Sequence, residues 1–231
     1  MKIFSFLKNY FTKTEIFIWF TSVILILISN LFLDKIEYIK LIASLIGVTS
    51  LIFCAKGNPF GQVLMIIFSL QYGAISYSFK YYGEMITYLG MSAPMAVLAL
   101  ISWLKNPYKG QKSQVEINTI TFKETLFMIF LTTIVTIAFY YILKYFNTSN
   151  LIPSTFSVTT SFMAVYLTFR RSPYYALAYA FNDIVLIILW VLASINDASY
   201  ISVVICFIVF LINDIYGFYN WKRMQKRQAK M

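Results

Sequence analysis

The stretch "AYAFNDIVLIILW" (residues 178–190) sets Asn182 and Asp183 side by side inside an otherwise apolar run. "VFLINDIYGF" (209–218) repeats the pairing with Asn213 and Asp214. A carboxylate at the centre of a membrane helix costs on the order of 3 kcal/mol even on lenient insertion scales. Such residues therefore face a bundle interior or a wet cavity rather than lipid. The reading of these two stretches depends on whether the chain is a membrane protein, and its composition answers that.

The chain has 231 residues, of which 60% are hydrophobic, 19% aromatic and only 12% charged. Soluble domains average about 50% apolar residues. Apolar windows of membrane-spanning length recur at roughly 16–33, 39–55, 61–79, 86–104, 124–143, 153–169, 174–195 and 199–219. Runs such as "VILILIS" do not alternate, so the spans are helices and not strands of a barrel. The expected class is an all-α integral membrane protein with eight transmembrane helices. The first window leads into a second and lacks a small-x-small site, so it reads as a span and not as a cleaved leader.

Charge sets the expected orientation. Fifteen of the 19 lysines and arginines fall on the side of the N-terminus, and only Lys35, Lys40, Lys80 and Lys144 fall on the other. The positive-inside rule places the rich side, with both termini, in the cytoplasm of a bacterial-type plasma membrane. The net charge of +10 is thus a matter of topology, and no nucleic-acid partner is implied. The tail "WKRMQKRQAK" (221–230) reads as an anchor at an anionic lipid surface. There is no histidine, which excludes histidine-based metal sites and proton relays. Cys54 and Cys206 read as core residues. No metal or cofactor is expected, and no Gly-x4-Gly-Lys-Ser/Thr nucleotide loop occurs.

The chain also resembles itself. "AKGNPFGQ" (55–62) and "FRRSPYYA" (169–176) each put a basic residue and a proline on a tight link between spans. Each is followed by a polar-studded helix, a short loop and a helix ending in Trp103 or Trp221. The expected architecture is two parallel three-helix repeats joined by a linker helix (3+1+3), preceded by an extra N-terminal helix. Its segments are 1–38 (N-terminal segment and extra helix), 39–106 (first repeat), 107–148 (loop and linker helix), 149–223 (second repeat) and 224–231 (basic tail). Transporters with such repeats bind their solute near the midplane between them.

Helical spacing selects the candidate solute contacts. Tyr179, Asp183 and Trp190 share one stripe of the seventh span, and Tyr175 and Asn182 an adjoining one. On the eighth span Asn213 and Tyr216 share a face, with Asp214 beside them. Gln71 and Tyr72 are polar groups available from the first repeat, where Phe68 and Ser69 stand opposite Asn182 and Asp183. Polarity is expected mainly from the second repeat. Aromatic walls with convergent amides and carboxylates suit a flat solute with a polar edge. Trp103 and Trp221 read as interfacial belt residues.

"KYYGE" (80–84), "PM" (94–95), "WLKN" (103–106), Asn182 and "NDIYGFYNW" (213–221) together resemble the PnuC-type vitamin transporter family, best known for nicotinamide riboside uptake, over roughly residues 39 to 224. The resemblance implies a SWEET-like fold, a homotrimer, facilitated diffusion, and trapping of the product by a cytosolic kinase. The chain departs from the family's nicotinamide riboside pattern at Ala178 and Tyr175, which replace tryptophans, and at Phe68, which replaces an asparagine. Asp183 and Asp214 are departures too. Deoxynucleosides, thiamine and riboflavin are the alternative solutes. Proton coupling through Asp183 or Asp214 is a variant of the transport reading. A structural membrane subunit or an intramembrane aspartyl protease is the reading from another class. The protease's Gly-x-Gly-Asp is missing, since Leu-Ile-Asn precedes Asp214.

Overall fold

The computed structural model describes residues 10–31, 38–78, 82–148, 150–195 and 198–230. Lys2, Lys8, Lys35, Lys80 and the first two residues of "KYYGE" lie outside the described residues. Eight helices are long and apolar enough to cross a membrane. They are α1 (Lys13–Leu31), α2 (Tyr38–Ala55), α3 (Phe60–Ser78), α4 (Tyr82–Lys105), α5 (Phe122–Tyr145), α6 (Leu151–Phe169), α7 (Tyr175–Ser194) and α8 (Ile201–Ala229). Between α4 and α5 a short antiparallel hairpin pairs β1 (Pro107–Tyr108) with β2 (Gln111–Val115). Lys109 and Gly110 turn it, both at positive φ, as a tight two-residue hairpin requires.

Two elements differ from expectation. The helix α8 does not stop near residue 219 but runs on through the basic tail to Ala229, 29 residues in all, because no glycine or proline interrupts "WKRMQKRQAK". The helix α4 changes its winding between Thr87 and Ser92, where six residues form a π-helix. Pro94 lacks the N–H that would bond back to Gly90, and its ring would crowd that carbonyl. The wider turn relieves the conflict, with the Ala93 N–H bonding to the Tyr88 carbonyl five residues back. Gly73 on α3 lets this widened segment approach, since a Cβ there would sit 2.5 Å from Leu89.

The two proline links are built alike. After α2, the Asn58 N–H bonds to Phe53 O (3.0 Å) and the Gly57 N–H to Cys54 O (2.8 Å). After α6, the Ser172 N–H bonds to Leu167 O (2.9 Å) and the Arg171 N–H to Thr168 O (3.0 Å). This is the Schellman termination, which needs a left-handed residue at its apex. Gly57 (φ 68°) and Arg171 (φ 56°) occupy that apex.

Packing joins the helices in a ring. Within it, α2 lies on α3, α3 on α4, α6 on α7 and α7 on α8, while α8 meets α2 and α4 meets α6. The first helix packs on α2 and α8, and α5 on α6. We call the end where α1 begins and α8 finishes the terminus side, and the opposite end the far side.

The terminus side is closed by a cluster that includes Trp103, Trp221, Tyr175, Val115 and Met224. Trp103 and Trp221 are fully buried, so they are not belt residues. Their rings meet at 5.3 Å between centroids, and Tyr175 sets its edge on Trp221 at 4.8 Å. Each indole N–H bonds to the last turn of a facing helix, Trp103 to Thr168 O (2.9 Å) and Trp221 to Cys54 O (2.8 Å). An indole whose N–H has a buried partner packs at an interior contact without desolvation cost to that group.

The segment after the hairpin runs beneath this cluster as a strap. The Val115 N–H bonds to Gly57 O (2.9 Å) and the Asn118 N–H to Arg171 O (3.0 Å), so one short segment ties both proline links. Gln228 of α8 holds the strap from below, accepting from the Ile117 N–H (2.8 Å) and donating to Val115 O (3.1 Å).

Candidate functional site

Above the tryptophans, a cavity of about 120 Å³ lies among α3, α4, α6, α7 and α8. Five of the candidate residues line it: Tyr179, Asn182, Asp183 and Trp190 from α7, and Asp214 from α8. Phe68 and Phe210 form an apolar wall, and Ser69 sits beside them. The lining continues to the far side at Glu84, Thr148 and Ser154.

Each polar group has a definite supporting contact or lacks one. Three hydroxyls of α6 converge on the Asn182 amide oxygen, Thr160 at 2.8 Å, Ser161 at 3.0 Å and Ser157 at 3.4 Å. They fix the side chain between α6 and α7 and leave its NH2 as the remaining donor. Asp183 from α7 and Asp214 from α8 face the same cavity. Asp183 Oδ2, Trp190 Nε1 and Ser69 Oγ are buried without a partner. A buried polar atom left unpaired costs about 1–3 kcal/mol, and these are the groups of the lining whose hydrogen bonds are open to a solute.

The other five candidates lie elsewhere. Asn213 turns toward α1, donating to Ser22 Oγ (3.0 Å) and Val209 O (2.8 Å). Tyr216 donates to Glu15 Oε1 (3.1 Å) and lines a separate polar recess on the terminus side. Tyr175 belongs to the tryptophan cluster beneath the cavity. Tyr72 stands behind the wall against Phe68 (5.1 Å) and Tyr88 (5.0 Å). Gln71 does not reach the lining, because α3 turns its Phe68 and Ser69 face inward. The stripe on α8 fails for the same reason: Asn213 and Tyr216 share a face, but α1 covers it.

The polarity is not mainly on one side. Glu84, Thr87, Tyr88 and Ser92 of α4 line the cavity, as do Ser154, Ser157 and Ser161 of α6. A signal for them was present, since residues 84, 88 and 92 follow helical spacing, as do 154, 157 and 161. Thr87, three residues after Glu84, stands on the same wall where the π-helical segment begins. Among the described residues no lysine or arginine lines the cavity. Among the described residues no cluster of metal-ligating side chains occurs.

A family model described as nicotinamide mononucleotide transporter matches residues 37–223. The chain belongs to that family. Two curated relatives are similar to it, both named nicotinamide riboside transporter PnuC. The one from Neisseria mucosa is 24% identical over 198 residues, covering 84% of this chain and 75% of that protein. The one from Haemophilus influenzae is 22% identical over 193 residues, covering 83% and 82%. A crystal structure of the vitamin B3 transporter PnuC superposes with a TM-score of 0.81 at 21% identity, covering 94% of each chain. The fold is therefore that of this transporter family, and the chain is a multi-pass membrane transporter.

Proposed function

We propose that the cavity carries nicotinamide riboside, or a nucleoside of similar shape, across the membrane by alternating access. The observation that carries this is the chemistry of the lining: aromatic faces (Phe68, Tyr88, Tyr179, Trp190) beside an unpaired carboxylate oxygen and an unpaired indole N–H. Rings stack a planar base, while Asp183, Asn182 and Trp190 meet its edge and the sugar hydroxyls. Among the described residues the lining holds no lysine or arginine to pair a phosphate, which favours an unphosphorylated solute. Both curated relatives are named for the riboside.

Two parallel repeats, α2–α4 and α6–α8, are supported by the matched links and by the matched pairings α4 with α6 and α8 with α2. The charge asymmetry supports termini in the cytoplasm. The cavity, sealed below and lined toward the far side, then corresponds to a carrier closed to the cytoplasm. A homotrimer, a passive gradient kept by a cytosolic kinase, and the absence of catalysis complete the reading. The facing carboxyls Asp183 and Asp214 favour a second one, coupling to protons.

The test is uptake of labelled nicotinamide riboside into liposomes holding the purified protein. Unlabelled thymidine, deoxyadenosine, thiamine and riboflavin serve as competitors. Saturable uptake blocked only by nicotinamide riboside is the expected result. No uptake of it, with labelled thymidine or deoxyadenosine carried instead, assigns the cavity to nucleosides. Uptake that responds to an imposed pH gradient replaces passive transport with coupling.

A further inference from the structure

The first helix has a counterpart that the three-plus-one-plus-three scheme leaves out. It begins "TKTE" (12–15), and α5 begins "TFKE" (121–124). In α1 the Thr12 N–H bonds to Glu15 Oε2 (2.7 Å) and the Glu15 N–H to Thr12 Oγ1 (3.2 Å), a complete capping box. In α5 the Glu124 N–H bonds to Thr121 Oγ1 (3.3 Å). Both glutamates then reach the same place on the following link. Glu15 Oε2 holds Lys56 Nζ at 3.0 Å. Glu124 pairs side-on with Arg170, accepting from Nε at Oε1 and from Nη2 at Oε2 (3.1 Å). Lys56 and Arg170 each stand three residues before the proline of their link, and each precedes the left-handed apex, Gly57 or Arg171.

The far contacts of the two helices correspond in partner but not in extent, since α1 packs along α8 while α5 meets α4 near Gly83. The first helix lies on α2 and reaches α8, through Glu15 with Tyr216 and Ser22 with Asn213. The fifth lies on α6 and reaches α4, where its Leu143 stands 2.7 Å from the position of a Cβ on Gly83. Each flanking helix thus rests on the first ring helix of its own unit and touches the last ring helix of the other.

We infer that the chain is two four-helix units, α1–α4 and α5–α8, and that Glu15 and Glu124 are matched positioning residues that hold the two proline links. Four helices return the chain to its starting side, so the second unit follows the first in parallel without a separate linker. In this arrangement α1 is the twin of α5 and not an appendage. Both glutamates act on transport through the links about which the ring helices must rock, and neither touches the solute.

This rests on the transport reading, so the experiment has one arm that needs no solute. Hydrogen exchange is measured on the full chain in nanodiscs for Glu15→Gln and Glu124→Gln. Glu15→Gln is expected to speed exchange at Gly57 and Asn58 by about tenfold, as breaking a buried pair should. Glu124→Gln is expected to speed it at Arg171 and Ser172 by about threefold, since that pair is partly exposed. Neither variant should alter the other link.

The second arm uses liposome uptake. Each variant should lower the maximal rate and leave KM unchanged. The swaps Glu15→Lys with Lys56→Glu, and Glu124→Arg with Arg170→Glu, should recover much of it. Tyr216→Phe, which keeps the Glu15–Lys56 pair, should keep the rate. Unchanged exchange at both links overturns the inference, as does a rate loss at Glu15 that Tyr216→Phe reproduces and the swap does not rescue. Absence of uptake in the wild type, with the exchange pattern intact, counts against the choice of solute alone.

Discussion

The ring has two seams between its halves, α2 against α8 and α4 against α6, and they are alike at one end and unlike at the other. On the terminus side both are fastened by an indole N–H to a carbonyl, with a polar neighbour bonding to the next one. Asn220 bonds to Ala55 O (2.8 Å) at one seam and Ser102 to Phe169 O (2.8 Å) at the other. Toward the far side the α2–α8 seam is filled by the apolar cluster containing Val48, Leu51, Phe207 and Phe210. The α4–α6 seam instead presents Ser92, Ser154 and Ser157 to the cavity. The lesson is that the closed end is built from shared geometry, while solute recognition is built where the halves depart from each other.

The comparison breaks first at the tryptophans. Trp103→Ala and Trp221→Ala should each cost about 3–5 kcal/mol of stability, as emptying a buried aromatic site does. The two losses should agree within about 1 kcal/mol, since the contacts match. Thermal unfolding in detergent checks this, and a large loss at only one of them denies the likeness.

The second test separates the twin Asn-Asp pairs. Asp183→Asn keeps the volume and removes the charge, so KM for a cationic riboside should rise about tenfold, or 1.4 kcal/mol, with folding and assembly intact. Unchanged uptake at full expression takes Asp183 out of the site. The smallest effect belongs to Asn213→Ala, which removes the tie to Ser22. It should cost about 1 kcal/mol of stability and leave KM where it was. A shift in KM there would mean that α1 reports to the cavity.

Much of this was legible from residues alone. Eight apolar windows match the eight helices, and the stripe through Tyr179, Asp183 and Trp190 lies on one cavity because α7 is regular along its whole length. Three things were not legible. Periodicity says which residues share a face but not which neighbour covers it, so it does not show that Asn213 and Tyr216 meet Ser22 and Glu15 of α1. A straight-helix projection cannot anticipate the π turn between Thr87 and Ser92, just before Pro94. A tryptophan followed by lysine looks like a membrane-surface anchor, and only the long-range partners Thr168 and Cys54 reveal Trp103 and Trp221 as interior.

The strap acts as a leash of fixed length. Its two bonds to the proline links start from Val115 and Asn118, and an extended chain covers about 3.3 Å per residue. The two anchored carbonyls can therefore be drawn apart by little more than about 10 Å plus the bonds themselves before Gly57 or Arg171 lets go. Any opening of the terminus side wider than that must first unhook the strap at one end.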